Sequence, residues 1–174
     1  MTARKFRMPT DFLTLVRRDH VDLQAELTRL LDPIASVEQL RSSLDGVRLG
    51  LTAHAEAEDI VLGRFDAIAA LEELVYQARA AHLAQEGSLS ALVSARPGTS
   101  VWRDRAHYLR ELVHHHAAQE EQVLLPALRR HAPRDLYDSL AGAFATERLR
   151  QLANLHPSAP MRAIDLAYAN VIAS

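Results

Sequence analysis

Four histidines break into four long apolar stripes of helical period, and they do so at matched distances: His20 to His54 is 34 residues, and His82 to His116 is again 34. The two halves superpose with a single offset of 62, which also carries Glu58 onto Glu120. That is an internal repeat of two helical hairpins. Antiparallel neighbours hold residues at one height only when the turn falls midway between them, and the midpoints here lie near residues 37, 68 and 99. Turn signals stand close by, at Asp32 to Val37, at Asp66 and Ala67, and at Pro97 to Ser100. The spacing therefore predicts an all-α, up-down-up-down four-helix bundle with extra C-terminal helical segments, its four histidines at one level.

The helical stripes can be followed in order. Thr10 or Asp11 can cap a first helix bearing Leu13, Val16, His20, Leu23, Leu27, Leu30 and Leu31, which ends near Asp32-Pro33 because proline disfavours helix in the residue before it. The second runs from about Ser36 to Arg64 with Leu40, Leu44, Val47, Leu51, His54, Glu58 and Val61 on its stripe. Asp66 can cap the third, which reads Leu71, Leu74, Val75, Ala78, His82, Glu86, Leu89 and Val93. Ser100 is the expected cap of the fourth, with Leu109, Val113, His116, Glu120, Val123, Leu124 and Ala127, and Pro126 should kink its last turns. Weaker helical patterns follow over 134–154 and 161–173. The expected organisation is an N-terminal arm over 1–10, the bundle over 11–131, and a C-terminal helical extension over 132–174 whose docking the sequence does not specify.

Apolar residues make up 48% of the 174, enough for a full core, and the wealth of Ala and Leu favours helix over sheet. Twenty Lys plus Arg against 22 Asp plus Glu leaves no basic footprint for nucleic acid. The basic start has no apolar run behind it, and no stretch is long enough for a membrane span, so a cytoplasmic protein without membrane or nucleic-acid partners is the expectation. A homodimer through helices outside the histidine level is compatible with this pattern. With no cysteine, thiolate metal sites and cysteine nucleophiles are excluded, and the 9 histidines become the carriers of chemistry.

One His-x-x-x-Glu pair in a Glu-rich helix is ordinarily a solvated pair. Four stripe histidines with equivalent carboxylates are different, because burying unpaired imidazoles and carboxylates costs several kcal/mol each and a metal turns that cost into binding free energy. Mixed imidazole and carboxylate donors suit iron, manganese or zinc. The expected ligands are His20, His54, Glu58, His82, His116 and Glu120, with Glu58 and Glu120 bridging two metals. Two octahedral ions offer about twelve positions, of which these groups and a bridging oxygen fill about ten. Glu86, one turn after His82, is a seventh ligand, an acceptor that orients an imidazole, or a residue at the stripe's edge. Glu121 and Asp59 are the nearest substitutes should the register differ by one. His114 and His115 are rotated off the core face, His107 with Glu111 forms a solvated pair, and His131 and His156 lie beyond the bundle.

With His20, His54-Ala-Glu-Ala-Glu58, His82 and the run from His116 to Leu128 in place, the chain resembles the hemerythrin-like HHE cation-binding family over roughly residues 10 to 131. The resemblance implies a non-heme di-iron centre in a four-helix bundle that engages dioxygen or related small molecules. Oxygen carriers of that family have a His-x-x-x-His pair on the third helix, where this chain places Glu86 after His82. They also carry an aspartate five residues after the last histidine, where this chain has Glu120 at four and Glu121 at five. A site richer in carboxylates holds ferric iron harder, which points toward the broad bacterial branch of sensors, peroxide- or nitric-oxide-responsive proteins and oxidases.

The leading expectation is thus a protein with two iron ions, manganese or zinc being the alternatives, that binds or senses dioxygen, peroxide or nitric oxide. A second is a di-iron oxidase or peroxidase, which requires a substrate pocket where Trp102, Tyr108 or the C-terminal segment meets the bundle. A third is an interaction module that holds zinc or no metal.

Overall fold

The computed structural model describes residues 11–155, and these are helical almost throughout, with no strand among them. The elements are α1 (Phe12–Leu30), α2 (Val37–Leu62), a single 3-10 turn (Gly63–Phe65), α3 (Ala69–Val93) and α4 (Ser100–Gln119). A π-helical turn (Glu120–Leu124) then leads without interruption into α5 (Leu125–His131), and α6 (Arg134–Leu155) follows. The N-terminal arm and the helix expected over 161–173 lie outside the described residues.

Local chemistry sets the helix starts, though not always at the expected residue. Ser36 closes a reciprocal capping box with Gln39 at the head of α2. At α4 the cap is Thr99, whose hydroxyl accepts from the Trp102 amide, rather than Ser100. Thr99 has the extended backbone that a cap needs, while Ser100 is already helical. Asp66 does not cap α3, which starts after Ile68; its carboxylate is taken by Arg79, 3.0 Å away.

α1 packs on α2, α2 on α3, α3 on α4, and α4 back on α1, closing a ring around a shared core. On α2 the inward residues are Leu40, Leu44, Val47, Leu51, His54, Glu58 and Val61, and on α3 they are Leu71, Val75, Ala78, His82, Gln85, Leu89 and Leu92. Steps alternate between three and four residues, the 3.5-residue repeat of gently supercoiled helices. Two apolar clusters result. One is centred on Val16, Phe65, Leu71 and Leu128, the other on Leu27, Leu30, Leu92 and Trp102, and the buried histidines separate them.

α4 keeps this repeat through Trp102, Ala106, Leu109, Val113, His116 and Glu120, and then the register slips. The Leu125 amide bonds the Glu120 carbonyl five residues back, so the turn takes up one extra residue. Leu124, Leu125 and Leu128 face inward, and Val123, expected inside, is 46% exposed. Pro126 accounts for the location: its ring crowds the carbonyl four residues before it, and its missing N–H could not continue an α-helical ladder.

α6 is packed into the body of the fold. It lies against α2 and α1, burying Leu140, Ala141, Phe144, Ala145 and Arg148. Phe144 meets Phe12 edge to face at 5.6 Å between ring centroids. None of the described helices is long and apolar enough to cross a membrane.

Candidate metal centre

Each of α1 to α4 contributes one buried histidine, and α2 and the π turn add Glu58 and Glu120. His54, Glu58, His82 and His116 form one group of donors, and His20, His54 and Glu120 a second, the donor atoms of each lying within 4.8 Å of one another. His54 belongs to both. Within this cluster His20 Nε2 and His54 Nε2 stand 3.2 Å from Glu120 and Glu58 carboxylate oxygens respectively, and His116 Nε2 stands 3.4 Å from Glu120. His82 Nε2 and His116 Nε2 approach to 2.9 Å.

Those separations are the ones a metal would impose. Two donors held at about 2.1 Å on adjacent positions of one ion lie about 3 Å apart. Both carboxylate oxygens of Glu58, both of Glu120, and the Nε2 atoms of His20 and His54 are buried with no hydrogen-bond partner. Six buried polar atoms without a hydrogen bond around one centre would be a severe liability in a solely structural core. Bound cations would satisfy them, so the residues present fit a metal site.

The far sides of the rings are held. Nδ1 of His20 lies 2.8 Å from Glu121 Oε1, Nδ1 of His54 lies 3.1 Å from Asp19 Oδ2, and Nδ1 of His82 lies 2.7 Å from Asp59 Oδ1. A carboxylate at Nδ1 places the proton there, leaves Nε2 as the lone-pair donor aimed inward, and raises its basicity. Asp19 Oδ2 also accepts from Arg148 Nε at 2.6 Å, so α6 is tied to the ring through an ion pair.

Protonation follows from burial and neighbouring charge. Burial, then the charge of His82, pushes His116 down to about 2, and burial and His54 lower His20, so both rings are neutral donors near pH 7. Burial also opposes a charge on His54, but the carboxylates of Asp19 and Glu58 outweigh it and lift that ring to about 9. Burial and the charge of Glu58 push the Glu120 carboxyl well up; Glu58, against the pull of burial, is held below the usual carboxylate range chiefly by His54. Of the two interior carboxyls, Glu58 is thus the ionised one and Glu120 the proton holder before a cation enters.

The structure brings His20, His54, Glu58, His82, His116 and Glu120 together and leaves Glu86 out. Glu86 is exposed, and the inward residue after His82 is Gln85, whose amide is buried with both polar atoms unpartnered. A four-residue step from His82 overshoots the 3.5-residue repeat that Ala78, His82, Gln85 and Leu89 follow. Glu121 and Asp59 are the imidazole partners just described. Asp19 and Arg148 escaped sequence reading, although each is an ionisable residue inside an apolar stripe, the same signal that singled out the histidines. His107, His114, His115 and His131 are exposed. Trp102 is buried in the apolar cluster away from α6, and Tyr108 is 62% exposed, so neither walls the centre.

A helical bundle with imidazoles and carboxylates converging on a buried interior defines a cation-binding protein. A family model described as the hemerythrin HHE cation binding domain matches residues 11–156, and the chain belongs to that family. The match includes α6, in keeping with the Arg148 to Asp19 tie. No curated protein and no solved structure gives a match.

Proposed function

We propose that the chain is a non-heme di-iron protein that binds or senses a small molecule such as dioxygen, peroxide or nitric oxide. The observation that carries this reading is the pair of overlapping donor groups sharing His54, with six interior donor atoms lacking any hydrogen bond. One ion would leave several of those atoms unsatisfied, whereas two would engage all of them, held by His20, His54, Glu58, His82, His116 and Glu120. Iron suits a mixed imidazole and carboxylate donor set and, when bound, supplies a redox-active Lewis acid able to take up a small molecule. The chain's own residues do the rest. Asp19, Asp59 and Glu121 fix the ring tautomers, Phe144 covers His54 at 5.9 Å between ring centroids, and the two apolar clusters keep bulk water away. The cavity beside His116 and Glu120 is about 10 Å³, room for about one water, which leaves no space for an organic substrate there.

Anaerobic reconstitution followed by metal analysis tests this. Two irons per chain are expected, with loss of most of the iron in a His54→Ala, His116→Ala double variant. An iron-to-protein ratio near zero, or unchanged iron in the double variant, would sink the proposal.

A further inference from the structure

The small cavity beside the centre has a definite position. Its floor is His116 and Glu120, and its walls are Leu74, Ala78 and Leu124. Ala78 is buried one turn before His82 on α3, on the inward repeat that supplies a ligand at its next step. At this point the interior carries a methyl group where every neighbouring helix carries an imidazole or a carboxylate. Val123, which the π turn rotates off the inward repeat to 46% exposure, lines the outer edge of the same cavity.

Two of the other ligands have cover above them. Phe144 and the Asp19 to Arg148 pair lie over His54, and an ion pair of Arg17 and Glu121, at 3.3 Å, lies over His20. Above Ala78 the cover is slight. Gln119 Nε2 donates to Gln77 Oε1 at 3.1 Å, a single bond between side chains at the surface, and both residues line the same cavity. An exposed amide pair contributes little net stability and opens by rotamer change on a fast timescale.

We infer that the exogenous small ligand is seated next to Ala78, on the face that His116 and Glu120 present, and that it enters by parting Gln77 from Gln119. The space selects by size. It has room for about one water, so it seats the metal-bound end of a hydroxide, diatomic, peroxide or azide, with any longer ligand reaching toward Gln77 and Gln119, and its apolar walls of Leu74, Ala78 and Leu124 offer no hydrogen bonds beyond Glu120. This inference rests on the di-iron reading and assigns the ligand's place within it.

Azide added to iron-loaded protein, followed by its optical charge-transfer band, is the probe. Ala78→Phe and Ala78→Val fill the seat without removing a donor, so iron content should stay at the wild-type level while azide binding weakens by at least about tenfold in the phenylalanine variant. Gln119→Trp, at an exposed position, should slow azide association by about fivefold or more with little change in equilibrium affinity. Azide affinity within about twofold of wild type in iron-replete Ala78→Phe would overturn the seat. If both Ala78 variants lose iron, Gln119→Trp decides alone, and an unchanged association rate overturns the proposal. A wild-type protein that takes up no iron would instead overturn the di-iron reading itself, before azide is added.

Discussion

Arg148 and Asp19 form a buried ion pair, Nε to Oδ2 at 2.6 Å, and that same carboxylate oxygen lies 3.1 Å from His54 Nδ1. A charge from α6 thereby balances the acid that orients an interior imidazole. Truncating one member of a buried pair costs up to about 3–5 kcal/mol, and here Asp19 would keep only its other partners, His54 among them. Arg148→Ala should lower unfolding free energy by about that amount in denaturant titrations and weaken metal affinity by about tenfold, because His54 loses its fixed orientation. Arg148→Lys should recover only part of this, since an ammonium lacks the planar fork of guanidinium.

Asp59 and Glu86 make an opposed pair of tests. Asp59 holds His82 Nδ1 at 2.7 Å, whereas Glu86 is exposed and outside the donor cluster. Asp59→Ala should reduce metal affinity by about 10–100-fold in competition with a chelator, the usual cost of removing an imidazole's carboxylate partner. Glu86→Ala should leave affinity unchanged. A loss of metal in the Glu86 variant would show that the carboxylate swings inward on binding.

The donors were legible because their signal is local and repeated: a titratable residue within an apolar stripe, echoed at an offset of 62. Of the three places open to Glu86 the structure shows the exposed edge, because a four-residue step approximates one turn of an isolated helix while these helices follow a 3.5-residue repeat, seen over the full run from Leu71 to Leu92, that turns Gln85 inward. Pro126 marked a disturbance in α4, but not that the extra residue would be taken up upstream, at Glu120 to Leu124. Arg148 and Asp19 are 129 positions apart. Nothing local pairs them, and the weak stripe of α6 gave its docking no address until Leu140, Phe144 and Arg148 were seen on one buried face.

Metal uptake should release protons. Before binding, His54 is protonated at neutral pH, its pKa lifted to about 9 against burial by Asp19 and Glu58, and Glu120 is raised by burial and by Glu58. Both must deprotonate to donate, so affinity should fall as pH is lowered through neutrality. Calorimetry in buffers of different ionisation enthalpy would show net proton release, and heats independent of buffer would contradict it. The metal-free fold carries a matching signature. His54, raised above its unfolded value, contributes stability that is full below about pH 6.5 and is lost as pH rises toward 9. His20 and His116, lowered by burial first, contribute stability present above about pH 6.5 and lost as pH falls. From these histidines, metal-free stability should decline on both sides of about pH 6.5.

Phe144 connects α6 to the centre through packing as Arg148 does through charge. It is fully buried, edge to face with Phe12 at 5.6 Å and with His54 at 5.9 Å. Phe144→Ala would leave a cavity against an imidazole, at a cost of about 3–5 kcal/mol for a buried phenylalanine. Because the void borders a polar ring, water should enter and hydrate His54, so metal dissociation should accelerate as well as unfolding. Phe144→Leu keeps most of the volume and should cost less than about 1.5 kcal/mol. Removing residues 132–174 should go further than either point change, exposing α2 along the face that α6 covers and stranding Asp19. The truncated chain should therefore lose cooperative thermal unfolding and metal uptake together. A truncated chain that kept both would mean that α1 to α5 fold without α6, and that the Asp19 to Arg148 pair is dispensable.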